Sequence, residues 1–297
     1  MTPPLAVSAV IPNRDGAHLL RRTLPPLLRE LPPPGHEVLV VDDASEDDSL
    51  AVLQEEFPTV RVIALERNVG FGAACNRGFR EAKHDLVLLL NSDMEVTPGS
   101  VALLLEHFAD ESVFAAGPGY RSDDPAKPRP PGGPEPIWPQ MGAPAGGGLF
   151  RRDAFLQLGG FDPLYAPFYW EDVDLGWNSW RRGWRSVYDS RCEFVHLESA
   201  TIRRLYTPAC VRRIRARNRI LFACKNLHGG TWLRFMARAK LRAVASLLRR
   251  GDPGDIAGEL MALPRLLAAL RRRVRGGPAD AEVLAASHTP LRHLLEL

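Results

Sequence analysis

Three acidic motifs stand in order along the chain: Asp42-Asp43, Asn91-Ser92-Asp93 and Glu171-Asp172. The first two follow short runs of Val, Ile and Leu, and the third opens an amphipathic stretch. Open α/β sheets bind ligands just past their strand ends, and oxygen donors select hard cations such as Mg²⁺ or Mn²⁺. Asp42 and Asp43 are therefore candidates to accept hydrogen bonds from a base or a ribose; capping the next helix is the competing role. Asp93 is the candidate metal ligand, with Asn91 as a neutral oxygen donor beside it, against the simpler reading of a surface turn. A cation there would stabilise the charge that develops on a departing nucleoside diphosphate. One carboxylate holds a metal weakly, and His196, which closes the apolar run CEFVH, is the candidate second ligand; packing alone would also explain a histidine there. Glu171, Asp172 and Asp174 lie within four positions. Asp172 is the candidate general base for an acceptor hydroxyl and Glu171 its orienting neighbour. Asp174 shares a helical face with Glu171 and is equally suited to bracing the helix.

Alternating strands and helices must position these groups. Residues 6–11, 37–41, 60–64 and 85–90 read as largely buried parallel strands. Ser45 with Asp48 predicts an N-cap for a helix carrying Leu50, Leu53 and Phe57, and residues 70–81 predict another whose Gly72, Ala73, Ala74 and Gly78 permit close approach to a sheet or ligand. Over residues 16–31, Pro25 and Pro26 should kink or end a helix. Nine prolines between 118 and 144 read as an extended connection across the sheet. Beyond it the pattern predicts a short helix over 152–158, a turn at 159–162, a helix over 172–182 and a strand over 192–196. The fold class is α/β with a mostly parallel sheet and right-handed crossovers.

The 297 residues are 25% charged and 45% hydrophobic, a folded composition with room for one substantial domain and an appendage. The net charge of +3 conceals a division. Residues 1–200 hold 18 Lys/Arg against 29 Asp/Glu, a net of −11; residues 201–275 hold 19 against 3, a net of +16. The second region carries helical patterns and reads as an Arg-rich extension that covers the core, meets an anionic substrate or rests on anionic lipid. Nucleic acid is excluded by the absence of a zinc-finger, RNP or helix-turn-helix signature and by the acidic first region. Four cysteines without CxxC spacing oppose a zinc site or disulfide framework and fit a reducing compartment. No run resembles a signal peptide or a bilayer span, so the expected location is the cytoplasm, with peripheral contact at the inner face of the cell membrane.

Seven segments in order resemble glycosyltransferase family 2 with the GT-A fold, nearest its rhamnosyltransferase-like bacterial branch: VIPNRDG, VVDDASEDDS, RNVGFGAACNRG, LLLNSD, GGGLFRRDAFLQLGGFD, FYWEDVDLGW and FVHLESAT. The resemblance spans about residues 6–230 and implies a catalytic domain over 1–207 with a helical basic extension over 208–297. It implies a nucleotide-sugar donor near Pro12, Asn13, Asp42, Asp43, Arg67, Asn68, Gly70, Asn76, Asn91 and Ser92. It likewise implies metal at Asp93 and His196, a base at Asp172, and an acceptor side at Gly146, Gly147, Gly148, Trp170 and Asp174. Two positions depart from the pattern: the DxD-like motif reads Asn91-Ser92-Asp93, and Ser199-Ala200 stand where relatives often place glycine.

The expected reaction is a single inverting displacement, with rhamnose on thymidine diphosphate as donor and a glycan or lipid-linked cell-envelope molecule as acceptor. A sugar-phosphate nucleotidyltransferase is the rival enzyme, disfavoured because Ile11-Pro12-Asn13-Arg14-Asp15-Gly16 makes a poor phosphate loop. An inactive nucleotide-sugar-binding or scaffolding relative is the non-enzymatic alternative.

Overall fold

The computed structural model describes residues 5–124, 126, 135–197, 206–274 and 276–296. Ser199 and Ala200 lie outside them.

The four expected strands form, as β1 (Val7–Asn13), β2 (Glu37–Asp42), β3 (Arg61–Ala64) and β4 (Leu86–Leu90). They stand side by side as β3-β2-β1-β4, all parallel. β1, β2 and β4 are buried along their whole length, which is why each reads as an unbroken apolar run instead of an alternating one. The sheet continues through β8 (Gly147–Arg151), β6 (Val113–Ser122), β9 (Arg185–His196) and β5 (Met94–Val96), with β7 (Ile137–Gln140) against β9. β8 is antiparallel to β4 and β6, and β5 and β7 are antiparallel to β9; the other six strands share one direction.

Helices α1 (Ala17–Glu30), α2 (Ser49–Glu56), α3 (Phe71–Glu81), α4 (Ser100–Glu106) and α5 (Arg152–Gln157) cover the sheet. α1 runs unbroken through Pro25 and Pro26, contrary to expectation. The carbonyls that lose partners belong to Arg21 and Arg22, exposed residues whose carbonyls water can serve, while Leu20, Leu24 and Leu27 remain locked in the core. α2 begins at Ser49 instead of near Ser45, because the Ser45 hydroxyl is drawn back to the Asp42 carboxylate at 2.7 Å. On α3, Gly78 lies against β1: a Cβ there would stand 2.2 Å from Val10 Cγ1. Of the proline-rich connection, β6 and β7 incorporate the two ends into the sheet, and residues 125 and 127–134 lie outside the described residues.

α6 (Glu171–Trp180) is followed by the basic helices α7 (Pro208–Asn226), α8 (Gly229–Arg250), α9 (Gly254–Ala262) and α10 (Leu266–Arg271), then by α11 (Asp280–Ala286) and α12 (Leu291–Glu296). Trp170, Trp177 and Trp180 from the α6 region share one buried cluster with Phe222 and Leu227 of the α7 region, Phe235 of α8 and Leu294 of α12. The helical extension therefore builds part of the core on which α6 rests.

Candidate active site

The C-terminal ends of β1, β2 and β4 open onto a cleft of about 1890 Å³. It lies where the chain leaves β1 toward β2 on one side and returns to β4 on the other, the crevice in which open α/β sheets bind ligands. Pro12, Asn13, Asp43, Asn68, Gly70, Asn91, Ser92, Asp93, Gly146, Glu171, Asp172 and His196 all line it. Motifs up to about 180 residues apart in the sequence thus meet at one place.

The two members of Asp42-Asp43 divide their work. Asp42 is fully buried, accepting from Asn13 Nδ2 at 3.0 Å and from the Ser45 backbone N–H at 2.9 Å and Ser45 hydroxyl at 2.7 Å. It braces the ends of β1 and β2 and does not reach the cleft, which corrects its expected nucleotide contact. Asp43 does reach it, and its two oxygens accept from the backbone N–H groups of Val69 (2.7 Å) and Gly70 (2.8 Å), fixing the loop before α3. Arg14, which sequence reasoning passed over, also lines the cleft and donates to the Asp43 and Ala44 carbonyls. Its position directly after β1 was the available signal.

Asp93 and His196 are brought together by strand register. β5 pairs with β9 so that Met94 faces His196, and the Leu197 N–H donates to the Asp93 carbonyl at 2.8 Å. His196 Nε2 stands 3.4 Å from Asp93 Oδ2. Asp93 Oδ1 is buried without a hydrogen-bond partner, as is Asn91 Oδ1. Orphaned oxygens of this kind carry a desolvation cost that a cation removes, so the pair fits a divalent metal. Among the described residues no group of three or more His, Cys, Asp or Glu side chains forms a metal cage. A cation held by this pair would take its remaining ligands from bound substrate and water.

Glu171 and Asp172 open α6 behind a constrained loop. Tyr169 and Trp170 both have positive φ, 69° and 79°, a strained conformation for aromatic residues. Asn218 of α7 holds it: its Nδ2 donates to the carbonyls of Tyr165 (2.7 Å), Phe168 (3.0 Å) and Tyr169 (2.8 Å). Arg217 adds bonds to the Tyr165 and Ala166 carbonyls. Burial, then the neighbouring Asp172 charge, pushes the Glu171 carboxyl up to about 8. Asp172 is likewise raised by burial, with backbone N–H groups at the start of α6 opposing the shift. Glu171 Oε2 is buried without a partner. Two carboxyls sharing a recessed site resist joint ionisation, and the one that ionises is a stronger base than an exposed aspartate.

Several expected site residues serve the scaffold instead. Asp174 is buried and bonded to Tyr165, Lys225 and Asn226. Trp170 is 2% exposed and packs on Phe222. Asn76 exchanges two 2.8 Å bonds with the Phe161 backbone, bracing the turn at 159–162. Arg67 is exposed and does not line the cleft. Gly147 and Gly148 are β8 residues whose missing side chains admit neighbours: a Cβ would meet Phe194 at 2.9 Å in the first case and Pro144 at 2.4 Å in the second. Of the three glycines, only Gly146 faces the cleft.

An open sheet with acidic groups at its switch point and a pair of carboxyls at a helix start defines a GT-A-type scaffold. Solved structures agree on the fold. The chain matches a mannosyltransferase from Pyrobaculum calidifontis, solved with GDP-mannose and Mn²⁺, with a TM-score of 0.57 at 19% identity, covering 98% of this chain and 78% of that one. It matches GalNAc-T7, solved with UDP, GalNAc and Mn²⁺, with a TM-score of 0.68 at 17% identity, covering 98% and 59%. Residues 8–158 match the family described as glycosyl transferase family 2, and the chain belongs to that family. Among curated relatives, an N-acetylglucosaminyl-diphospho-decaprenol L-rhamnosyltransferase of Mycobacterium tuberculosis is 29% identical over 261 residues, covering 72% of this chain and 84% of that protein.

Proposed function

We propose that this chain is an inverting glycosyltransferase that moves a sugar, rhamnose, from a nucleoside-diphosphate donor to a hydroxyl of a lipid-linked cell-envelope glycan. The observation that carries the reading is the convergence of the Asp93–His196 pair and the Glu171–Asp172 pair on one cleft. The similarity to the M. tuberculosis L-rhamnosyltransferase supports the sugar and the lipid-diphosphate acceptor.

Asp43, Asn13, Asn68 and Asn91 surround the donor's nucleoside. Asp93 and His196 would hold Mg²⁺ or Mn²⁺, which when bound neutralises charge on the donor diphosphate. Asp172 takes the proton from the acceptor hydroxyl as its oxygen forms a bond to the anomeric carbon. The bond from that carbon to the diphosphate oxygen breaks on the opposite face, and its electron pair leaves with the nucleoside diphosphate. Glu171, protonated near neutral pH, keeps its carboxyl beside the ionised Asp172 without adding a second charge.

Among the described residues no helix is long and apolar enough to cross a membrane. Leu241 and Leu248 of α8 and Leu267 of α10 are nevertheless 69%, 78% and 68% exposed, among many arginines. Exposed leucines interleaved with cations support peripheral contact with an anionic membrane face, where a lipid-linked acceptor resides.

The test is release of nucleoside diphosphate from thymidine-, uridine- and guanosine-diphosphate sugars with Mg²⁺ or Mn²⁺. Donor-selective, metal-dependent release that is lost in Asp93→Ala and Asp172→Asn is the expected result. No binding or release of any donor would refute the transferase reading.

A further inference from the structure

The wall that the helical extension gives to the cleft is rich in arginine. Arg212, Arg215 and Arg219 of α7, Arg242 and Arg249 of α8, and Arg265 before α10 all line it. On that wall Asp255 is the one lining carboxylate among the described residues. It forms long ion pairs with Arg242 Nε (3.8 Å) and Arg219 Nη2 (3.7 Å), and Arg212 pairs with Asp252 outside the lining.

Arg219 is the informative member. It is 3% exposed, yet its Nε and Nη2 are buried without hydrogen-bond partners. Burial lowers the affinity of this guanidinium for its proton, and the nearby Asp255 and Glu259 charges offset that only in part. The lining side chains of α8 fall on one edge: Arg242, Ser246 and Arg249 follow one another at spacings of four and three. The next row around the helix is the exposed one of Leu241, Val244 and Leu248. An anion held by Arg219 and its neighbours would thus lie beside an apolar surface.

We propose that Arg219, with Arg212, Arg215, Arg242 and Arg249, forms an anion subsite for the diphosphate of an amphiphilic acceptor, whose apolar tail leaves across the exposed leucines of α8. The subsite rests on the acceptor class named above, but its test needs no sugar transfer. Guanidinium groups suit this ligand, since they present paired donors to phosphate oxygens and are only weakly hydrated. The arrangement also divides the cleft by charge: the donor's diphosphate belongs with Asp93 and His196, and the acceptor's diphosphate with the arginines.

The experiment measures binding of geranylgeranyl diphosphate and of geranylgeraniol to the full chain, with thymidine diphosphate and Mn²⁺ in excess to fill the donor side. The diphosphate should bind at least about tenfold tighter than the alcohol, and Arg219→Met should remove most of that preference. Because Arg219 is buried, the double variant Arg242→Gln/Arg249→Gln on the helix surface provides a second readout, with about a tenfold loss expected and unchanged affinity for thymidine diphosphate. Equal binding of alcohol and diphosphate would overturn the proposal. So would a double variant within twofold of wild type, or a loss confined to nucleotide affinity, which would assign the arginines to the donor. Inorganic pyrophosphate binding as tightly as the prenyl compound would overturn the amphiphile assignment. Failure of donor turnover, by contrast, would count against the transferase reading and leave this binding result standing.

Discussion

Replacing Lys225 with methionine tests whether the basic extension positions the proposed catalytic pair, Glu171 and Asp172. The Lys225 side chain is 8% exposed, and its Nζ lies 2.7 Å from Asp162 and 2.6 Å from Asp174. Asp174 is on α6, two residues beyond Asp172, and also accepts from Tyr165 and Asn226. Methionine keeps the stem but leaves the buried Asp174 without its cation and Asp162 with Arg272 alone. Breaking a buried ion pair on one side costs about 3–5 kcal/mol. For a chain of this size that corresponds to a fall in Tm of roughly 5–8 °C. The pH dependence separates charge from packing. Desolvation opposes it, but Lys225 and other donors hold Asp162 below its usual range, and the two carboxylates hold Lys225 above its own. The wild-type contribution is therefore complete between about pH 4 and pH 10, being lost below as Asp162 protonates and above as the lysine deprotonates. In the variant Asp162 loses one of the two cations that hold it down, so it protonates earlier on acidification and the deficit shrinks as pH falls from 7 toward 4. Urea unfolding at pH 7, 5.5 and 4 measures this. Turnover at pH 7 should fall about 10–100-fold in kcat with little change in donor affinity, since α6 loses its anchor while the donor side does not. A deficit under about 1 kcal/mol, or one that stays constant down to pH 4, would refute the reasoning.

Asp172→Asn should reduce transfer by about 10²–10⁴-fold while donor affinity is retained, as calorimetric titration with the donor would check. In the wild type the acidic limb of the kcat profile should lie above the ordinary aspartate range, because burial raises Asp172; a limb near pH 4 would remove it from the role. Glu171 titrates upward to about 8, so its ionisation opposes folding as pH rises from about 4.5 through 8; Glu171→Gln should flatten that decline in unfolding measurements. His196→Ala should raise the Mn²⁺ concentration needed for half-maximal turnover by about tenfold or more, since it removes one of the two proposed protein ligands. Gly148→Ala should destabilise by about 1–3 kcal/mol through contact with Pro144 and the Ala116 carbonyl, with KM for the donor unchanged.

The catalytic half was legible in the residues because its signals are local. Buried parallel strands appear as apolar runs, and the carboxylates stand immediately after them, so β1 to β4 and the places of Asp43, Asp93 and Asp172 follow from reading along the chain. The pairing of Asp93 with His196 was accessible for the same reason, since His196 ends a recognisable strand. The short β5, the antiparallel β8 and the strands within the proline-rich stretch were not legible. β5 has three residues, β8 begins with glycines that carry no periodicity, and Pro118 on β6 and Pro139 on β7 argued for loop. Each of these strands is specified by its neighbours across the sheet.

What the sequence determined by itself was the α/β class, the order of the acidic motifs and the separation of acidic from basic charge, all properties of composition and short-range pattern. Only the tertiary structure decided which carboxylate does what. Asp42 and Asp43 are adjacent and chemically identical, yet one is saturated by Asn13 and Ser45 and the other faces the cleft. Asp172 and Asp174 are two positions apart, yet a helix turns one toward the cleft and the other onto Lys225. Likewise the charge count predicted a basic region, whereas the packing of α7 and α8 aimed its arginines at the wall facing the acidic site. A side chain's role depends on which partners exhaust its hydrogen bonds, and those partners come from segments that only folding brings within 3 Å.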